Sequence, residues 1–130
     1  PLVCCALLVS TTSVTGHHAF SAEFDANRPL QLSGAVSKTE WINPHSWIHI
    51  DVAGEGGQIV TWAIECGAPN SLMRRGLNKN SIPVGTELVV DGFGAKDGST
   101  TANARDITLP NGLTFFVGSS GTGAPYERRQ

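Results

Sequence analysis

The stretch that decides the fold is "SWIHIDVAGEGGQIVTWAIEC", residues 46–66. It contains two apolar runs, 46–52 and 58–66, separated by a glycine-rich turn, a pattern that predicts a β-hairpin. Because side chains alternate between the two faces of a strand, pairing Ile50 with Trp62 places the apolar residues of both strands on one face. A register shifted by one residue would mix apolar and polar side chains. Burial of apolar surface therefore favours the first register.

The predicted hairpin has an inner face and an outer face. The side chains expected in the core are Ile48, Ile50, Val52, Val60, Trp62 and Ile64. The side chains expected on the outer face are Trp47, His49, Asp51, Thr61 and Glu65. An outward tryptophan leaves apolar area in water unless a loop, a tail or a partner covers it. We expect the N-terminal segment "FSAEF", residues 20–24, to cover Trp47.

The remaining pattern predicts a small β-barrel. The further strands are expected at 29–43, 86–93, 101–109 and 113–118, with a short helix over 68–76 between the third and fourth strands. Gly34, inside the first strand, indicates a sharp bend or a bulge. Three strands, one helix and two or three further strands are typical of the OB-fold, here with five or six strands. A two-sheet sandwich is the alternative.

The first sixteen residues, "PLVCCALLVSTTSVTG", differ from the rest of the chain. They contain no charged residue and begin with an apolar run, which predicts the core and end of a secretory signal peptide whose front is missing. The expected organisation is a signal peptide over 1–16, one β-barrel domain over 17–118 and a flexible tail over 119–130 with almost nothing to bury. The mature protein is expected in the periplasm of a bacterium or outside the cell, with no membrane span.

Charge and cysteine content restrict the function further. The formal net charge is −2, and the chain has no basic stripe of the kind that binds nucleic acid. Of the three cysteines, only Cys66 would remain after cleavage behind Gly16, so no disulfide within the chain is expected. The fold must then rest on its apolar core.

All four histidines lie in two short segments, and His17, His18, His45 and His49 are the candidate metal ligands. A mature chain that begins at His17 can chelate a cation with its α-amine and imidazole, and a strand histidine would complete a nitrogen-rich site of the kind that Cu(II) favours. Zn(II) accepts similar donors in a tetrahedral arrangement. His45 and His49 are about 13 Å apart on an extended strand, so both reach one metal only if the Asn43–Pro44 turn bends the chain. Alternatively, the first pair frays at the terminus and the second pair is hydrogen-bonded on the sheet.

These observations favour a non-catalytic ligand-binding module in the periplasm. Its binding face is formed by Trp47, His49, Asp51 and Glu65, and in the more specific version it is a copper-binding accessory protein. The ligand class stays open between a small molecule, a metal ion and an envelope protein. The alternative function is an interaction or assembly subunit that docks an envelope partner through Trp47 and the helix over 68–76.

An enzyme is the less favoured class. The chain lacks a GxSxG nucleophile motif, a phosphate-binding glycine loop and an HExxH metal motif. A hydrolase or isomerase would depend on clustered carboxylates, and it predicts a deep pocket that holds at least two of Glu40, Asp51 and Glu65.

Four segments also resemble a known family. They are "HHAFSAEFD" (17–25), "EWINPHSWIHIDV" (40–52), "GAPNSLMRRG" (67–76) and "AKDGSTTANARDITLPNG" (95–112). In this order they resemble small exported bacterial proteins classified as domain of unknown function 6152. The resemblance implies a signal peptide that ends just before the paired histidines, and it implies no particular activity. Members often have glycine where this chain has Cys66, which argues against an essential thiol.

Overall fold

The computed structural model describes residues 19–127 of the 130-residue chain. The predicted signal peptide, His17 and His18 lie outside the described residues. The described part is mainly β, as predicted, with six strands and two short α-helices. The elements are α1 (Phe20–Glu23), β1 (Phe24–Glu40), β2 (Trp47–Ala53), β3 (Ile59–Glu65), α2 (Pro69–Arg74), β4 (Glu87–Ala95), β5 (Thr101–Thr108) and β6 (Thr114–Phe116).

The strands are joined into one continuous sheet. Antiparallel pairs form between β1 and β2, β2 and β3, β1 and β4, β4 and β5, and β5 and β6. In addition, β3 runs parallel to β5 and pairs with it, for example Glu65 with Asn103. The pairings therefore close a ring in the order β1, β2, β3, β5, β4, and β6 extends the sheet beyond β5.

The long strand β1 changes partners in its middle. It pairs with β4 up to Ala35 and with β2 from Ala35 onward, and a register shift between Val36 and Lys38 marks a bulge. At the change of partner, a Cβ on Gly34 would lie 2.3 Å from the backbone oxygen of Asp51. Only glycine permits this close approach, so the bend predicted at Gly34 has a steric basis.

The β2–β3 hairpin has the predicted register, with Ile50 opposite Trp62. On its inner face Ile48, Ile50 and Ile64 are fully buried. The other three predicted core residues, Val52, Val60 and Trp62, are only half-buried. The prediction was too strong for these three residues, of which Val52 and Val60 pair with each other next to the exposed turn at Glu55–Gly57.

Further residues of the main core lie on α2, in the segment that follows it, and on β4 and β5. Its buried members include Leu72, Leu77, Leu88, Val90 and Ile107. The helix has proline in its first turn, and Gly76, which follows it, has a φ of 91°, a conformation that favours glycine after a helix end. Within residues 19–127 no helix has the length and apolar character needed to cross a bilayer.

A second buried cluster, called here the terminal cluster, joins the two ends of the described chain. It consists of Phe20, Phe24, Ala95 and Ala124, with Phe93 and Tyr126 packed against it. The N–H of Phe20 donates a 2.8 Å hydrogen bond to the carbonyl of Thr122. The expectation that the tail has almost nothing to bury is therefore wrong for 119–127, because the three phenylalanines offer it an apolar surface. Burial of each such ring contributes about 1.5–3 kcal/mol.

Candidate functional site

A cavity of about 230 Å³ lies between the N-terminal segment and the loop that joins β1 to β2. Ligand cavities for drug-sized molecules usually enclose about 300–1,000 Å³, so this cavity suits a smaller ligand. It is lined by Ala19, Phe20, Glu23, Phe24, Ile42, Asn43, Pro44, His45, Trp47, Glu65, Asn103 and Thr122. Trp47 thus shares the cavity with Phe20 and Phe24 of the segment that was expected to cover it.

Three polar residues in the cavity wall are buried, and one of them is Thr122, which is 6% exposed. Glu65 is 7% exposed and Asn103 is 1% exposed. The Nδ2 of Asn103 donates to Glu65 Oε1 at 3.2 Å, and the hydroxyl of Tyr126 donates to Asn103 Oδ1 at 2.7 Å. Burial raises the pKa of Tyr126 to about 12, so the phenol keeps its proton and acts as the donor. Because both ends of the Asn103 amide are engaged, its orientation in the wall is fixed.

His45 is connected to the same network. Its Nδ1 lies 3.8 Å from Glu65 Oε1 and 3.2 Å from the hydroxyl oxygen of Ser119. The Ser119 hydroxyl also donates to the carbonyl of Cys66, and the Ser119 N–H donates to the Tyr126 oxygen. The Ser119 hydroxyl therefore lies between His45 Nδ1 and the carbonyl oxygen of Cys66. The C-terminal segment therefore orients both His45 and Asn103.

The structure divides the predicted binding face. Trp47 and Glu65 line the cavity, whereas His49 and Asp51 do not. Glu65 was expected on an exposed face; that is wrong, because Asn103 of β5 pairs opposite it and the polar network encloses its carboxylate.

His49 and Asp51 have other partners on the outer face. His49 Nε2 is 2.8 Å from Glu40 Oε2, and Lys38 Nζ is 3.1 Å from Glu40 Oε1. Hydrogen bonding from His49, and then from Lys38, lowers the pKa of Glu40. Asp51 accepts a 2.7 Å hydrogen bond from the hydroxyl of Thr61. His49 and Asp51 thus belong to two separate hydrogen-bonded pairs on the outer face.

The described residues contain no group of three or more His, Cys, Asp or Glu side chains placed to hold a metal ion. His45 lies at the cavity and His49 beside Glu40, so each strand histidine has different neighbours. A metal site that uses His17 or His18 stays a prediction. Cys66 is fully buried, and burial raises the pKa of its thiol.

A hydrolase or isomerase was expected to have a deep pocket that holds at least two of Glu40, Asp51 and Glu65. The cavity contains Glu65 but neither Glu40 nor Asp51. Its second acidic residue is Glu23, which is exposed. The structure therefore does not bring the proposed catalytic carboxylates together.

The cavity residues that come from distant parts of the chain were not predicted from the sequence. Asn103 carried a usable signal, since asparagine is depleted in strand interiors and this one stands between two alanines of β5. Its neighbours Ala102 and Ala104 are buried as well, which shows that β5 is covered on both faces at this point. Thr122 and the bonding partners Ser119 and Tyr126 lie in the segment that was expected to be a flexible tail.

A larger concavity of about 720 Å³ borders the same network on the other side of Ser119. It is lined by Arg105, Phe116, Ser119, Ser120, Gly121, Tyr126 and Glu127. It is more open to solvent, and its charged groups already bind neighbours: Arg105 pairs with Asp106, and Glu127 accepts from Thr122. The smaller cavity, with its buried polar wall, is the better candidate site.

The fold and the site together define a small, mainly β protein with a cavity bordered by aromatic and acidic side chains. The chain belongs to the family of unknown function DUF6152, whose model matches residues 6–104, and this confirms the family predicted from the sequence. The matched range includes Trp47, Glu65 and Asn103 and ends before Ser119 and Tyr126. No curated protein and no solved structure was found to match the chain.

Proposed function

We propose that this chain is an exported, non-catalytic ligand-binding module and that the 230 Å³ cavity is its binding site. One observation carries the proposal: Glu65 and Asn103 are held in a buried hydrogen-bond network in the wall of a cavity that also contains aromatic side chains. Fixed polar groups orient a ligand, and apolar walls supply contact area. The polar groups here lose little side-chain freedom on binding because the network already orders them.

We also propose that the ring of five strands is an OB-type barrel. The parallel pairing of β3 with β5 supports it, as does the position of α2 between β3 and β4 in the chain. In OB-folds the face of the second and third strands and the loop between the first two strands bind ligands. The cavity takes Trp47 from β2, Glu65 from β3 and residues 42–45 from that loop.

Export to the periplasm or beyond rests on the sequence of residues 1–16, which begins with an apolar run and has no charged residue. Expression in a bacterium of the precursor with a complete signal peptide, followed by mass spectrometry of the periplasmic fraction, tests it. The expected mature chain begins at His17. Protein retained in the cytoplasm with residues 1–16 still attached would contradict export.

Ligand binding is tested with two variants of α1 and its flank. Ala19 and Ala22 are both exposed, but only Ala19 lines the cavity. A panel of small amines, carboxylic acids and sugars is titrated into the isotope-labelled chain, and its NMR signals are followed. A ligand of the cavity should shift the signals of Trp47 and Asn103 and lose at least about tenfold in affinity in Ala19→Trp, because lost contacts worth 1.4 kcal/mol change affinity tenfold.

The control variant is Ala22→Trp, which should bind as the unchanged chain does. A panel in which no compound shifts the Trp47 or Asn103 signals contradicts the proposed function. So does binding that is equally tight in both tryptophan variants.

The copper version of this proposal has one specific observation in its favour. Ala19, which directly follows His17 and His18 in the sequence, lines the same cavity as His45. Cu(II) is titrated into the chain that begins at His17, with Zn(II) for comparison. Binding should weaken in the double variant His17→Ala, His18→Ala and also in His45→Ala. It should not weaken in His49→Ala, because His49 pairs with Glu40 away from the cavity. Equal binding by the double-alanine variant would remove the copper version.

An interaction or assembly subunit is the second candidate function. A shallow groove of about 220 Å³ at α2 is lined mostly by apolar area from Trp41, Pro69 and Met73, and Met73 is 58% exposed. The test is isolation of the protein from its native envelope, with and without Met73→Glu. A stoichiometric partner that is lost in the variant supports docking, whereas a co-purifying small molecule supports ligand binding.

A further inference from the structure

We infer that the cavity selects a small organic cation, an alkylated ammonium group above all. This inference rests on the proposed ligand-binding function and specifies the chemical class of the ligand. It follows from three properties of the cavity: the sign of its charges, the nature of its walls and its size.

The carboxylates Glu23 and Glu65 are among the described residues that line the cavity. Glu65 on β3 is buried in the wall, and Glu23 on α1 is exposed, so carboxylates approach from two different elements. No lysine or arginine is among the described lining residues. Among the described lining residues the one basic group is His45, whose Nδ1 lies 3.8 Å from Glu65 Oε1. An anionic ligand would therefore meet two carboxylates, whereas a cation is attracted by both.

The walls suit a cation that carries apolar groups. Phe20, Phe24 and Trp47 line the cavity, and the ring centroids of the two phenylalanines are 5.7 Å apart. Aromatic rings attract cations through their quadrupole, and tryptophan does so most strongly. Aromatic side chains offer no ligand atoms to a metal ion, but they pack well against the methyl groups of an alkylated ammonium.

The size limits the ligand to a few atoms. The volume of about 230 Å³ equals the liquid volume of roughly eight water molecules at about 30 Å³ each. A group such as trimethylammonium with a short side chain is of this size. Larger cationic peptides or polyamines would extend beyond the cavity.

Three compounds of nearly the same shape isolate the contribution of charge. Choline carries one positive charge, 3,3-dimethylbutan-1-ol replaces its nitrogen with carbon and is neutral, and 3,3-dimethylbutanoate is negative. Each is titrated into the labelled mature chain while the NMR signals of Trp47, Phe20 and Asn103 are followed. Choline should bind at least about tenfold more tightly than the alcohol, since charge and cation–π attraction act on it alone. The carboxylate should bind most weakly.

Variants of the two carboxylates connect this selectivity to the cavity. Glu65→Gln keeps an oxygen that accepts from Asn103, and Glu23→Gln changes an exposed residue. Each should weaken choline binding about three- to tenfold while leaving the alcohol unchanged, because only the cation loses an attraction. Glu40→Gln is the matched control, since Glu40 pairs with His49 outside the cavity. If Glu65→Gln does not fold, Glu23→Gln carries the test.

The outcomes separate this inference from the proposed function. If the alcohol or the carboxylate binds in the cavity as tightly as choline, selection of a cation is wrong and the ligand-binding function stands. Binding of Cu(II) without binding of choline also overturns the inference. If none of the three compounds shifts the cavity signals, the inference fails, and the wider panel with Ala19→Trp then decides the proposed function separately.

Discussion

The hydroxyl of Tyr126 donates a 2.7 Å hydrogen bond to Asn103 Oδ1, which joins the C-terminal segment to the middle of β5. The hydroxyl oxygen of Tyr126 also accepts a 3.2 Å hydrogen bond from the Ser119 N–H. Asn103 in turn donates to Glu65 in the cavity wall. The end of the described chain is therefore bonded to the candidate site, and a change at Tyr126 should affect both stability and the geometry of the cavity.

Removal of that hydroxyl should destabilise the protein. In Tyr126→Phe the buried Asn103 Oδ1 loses its donor, and we expect the free energy of unfolding to fall by about 1–3 kcal/mol. Urea denaturation measures the change. The control is Thr61→Val, which removes an exposed hydroxyl bonded to Asp51 and should stay within about 0.5 kcal/mol. A Tyr126→Phe variant no less stable than this control would show that the network contributes nothing.

The change of partner in β1 makes Gly34 sensitive to any side chain. A Cβ there would meet the backbone oxygen of Asp51 at 2.3 Å, and a backbone atom inside a sheet cannot move aside. Gly34→Ala should therefore lower the free energy of unfolding by about 3 kcal/mol, at the upper end of overpacking costs. Gly54→Ala is the control, because its nearest contact is 3.3 Å and its φ is −96°. Equal stability of the two variants in urea would contradict the steric argument.

Much of the fold could be predicted from the pattern of apolar residues and glycines along the strands. Burial alone selected the register of the β2–β3 hairpin, because a slip of one residue would have moved a whole apolar face into water. The same alternation placed Trp47 and Glu65 on one face of the hairpin, although pairing with β5 buries Glu65 there. Gly34 was recognisable because a glycine inside a long strand points to a bend or a close approach. The start of β1 at Phe24 was not foreseen, since it depends on pairing with the distant Ala95.

The candidate site was only partly predictable, because it depends on contacts between residues far apart in sequence. Nothing near Tyr126 in the chain indicates that its hydroxyl reaches Asn103, and the glycine-rich stretch before it is typical of a flexible tail. The terminal cluster shows why that interpretation was wrong: Phe20 and Phe24 leave apolar surface that Ala124 covers.

The pair of His49 and Glu40 should be visible in a pH titration. Hydrogen bonding from His49 holds the pKa of Glu40 below its ordinary value of 4.5. A carboxyl whose pKa is lowered in the folded state stabilises the protein above its unfolded pKa, and this stabilisation is lost as the pH falls through the folded pKa. Carboxyl NMR should show Glu40 titrating below 4.5, and His49→Ala should raise its pKa. Lys38→Ala should raise the pKa of Glu40 less, because the hydrogen bond from Lys38 lowers this pKa less than the one from His49. A larger rise in Lys38→Ala than in His49→Ala would contradict this order.

Cys66 should be protected from reagents in the folded state. Its side chain is 0% exposed, and burial raises the pKa of its thiol. In a chain that begins at His17 it is the only cysteine. Reaction with a thiol reagent should be at least about 100-fold slower in buffer than in concentrated urea, because only transiently opened molecules react. Ser120→Cys in a Cys66→Ala background is the control, since position 120 is exposed and should react at once.

The raised pKa of Cys66 also predicts how stability depends on pH. The unfolded thiol loses its proton near pH 8.5, whereas the buried thiol keeps it at higher pH. The unfolded state therefore binds fewer protons above about pH 8.5, and the free energy of unfolding should decrease as the pH rises further. Below that pH the thiol has no effect on the slope. Urea denaturation between pH 7 and 10 measures this decrease, and Cys66→Ala should remove it. A slope that is identical in Cys66→Ala would mean that other groups cause the loss of stability.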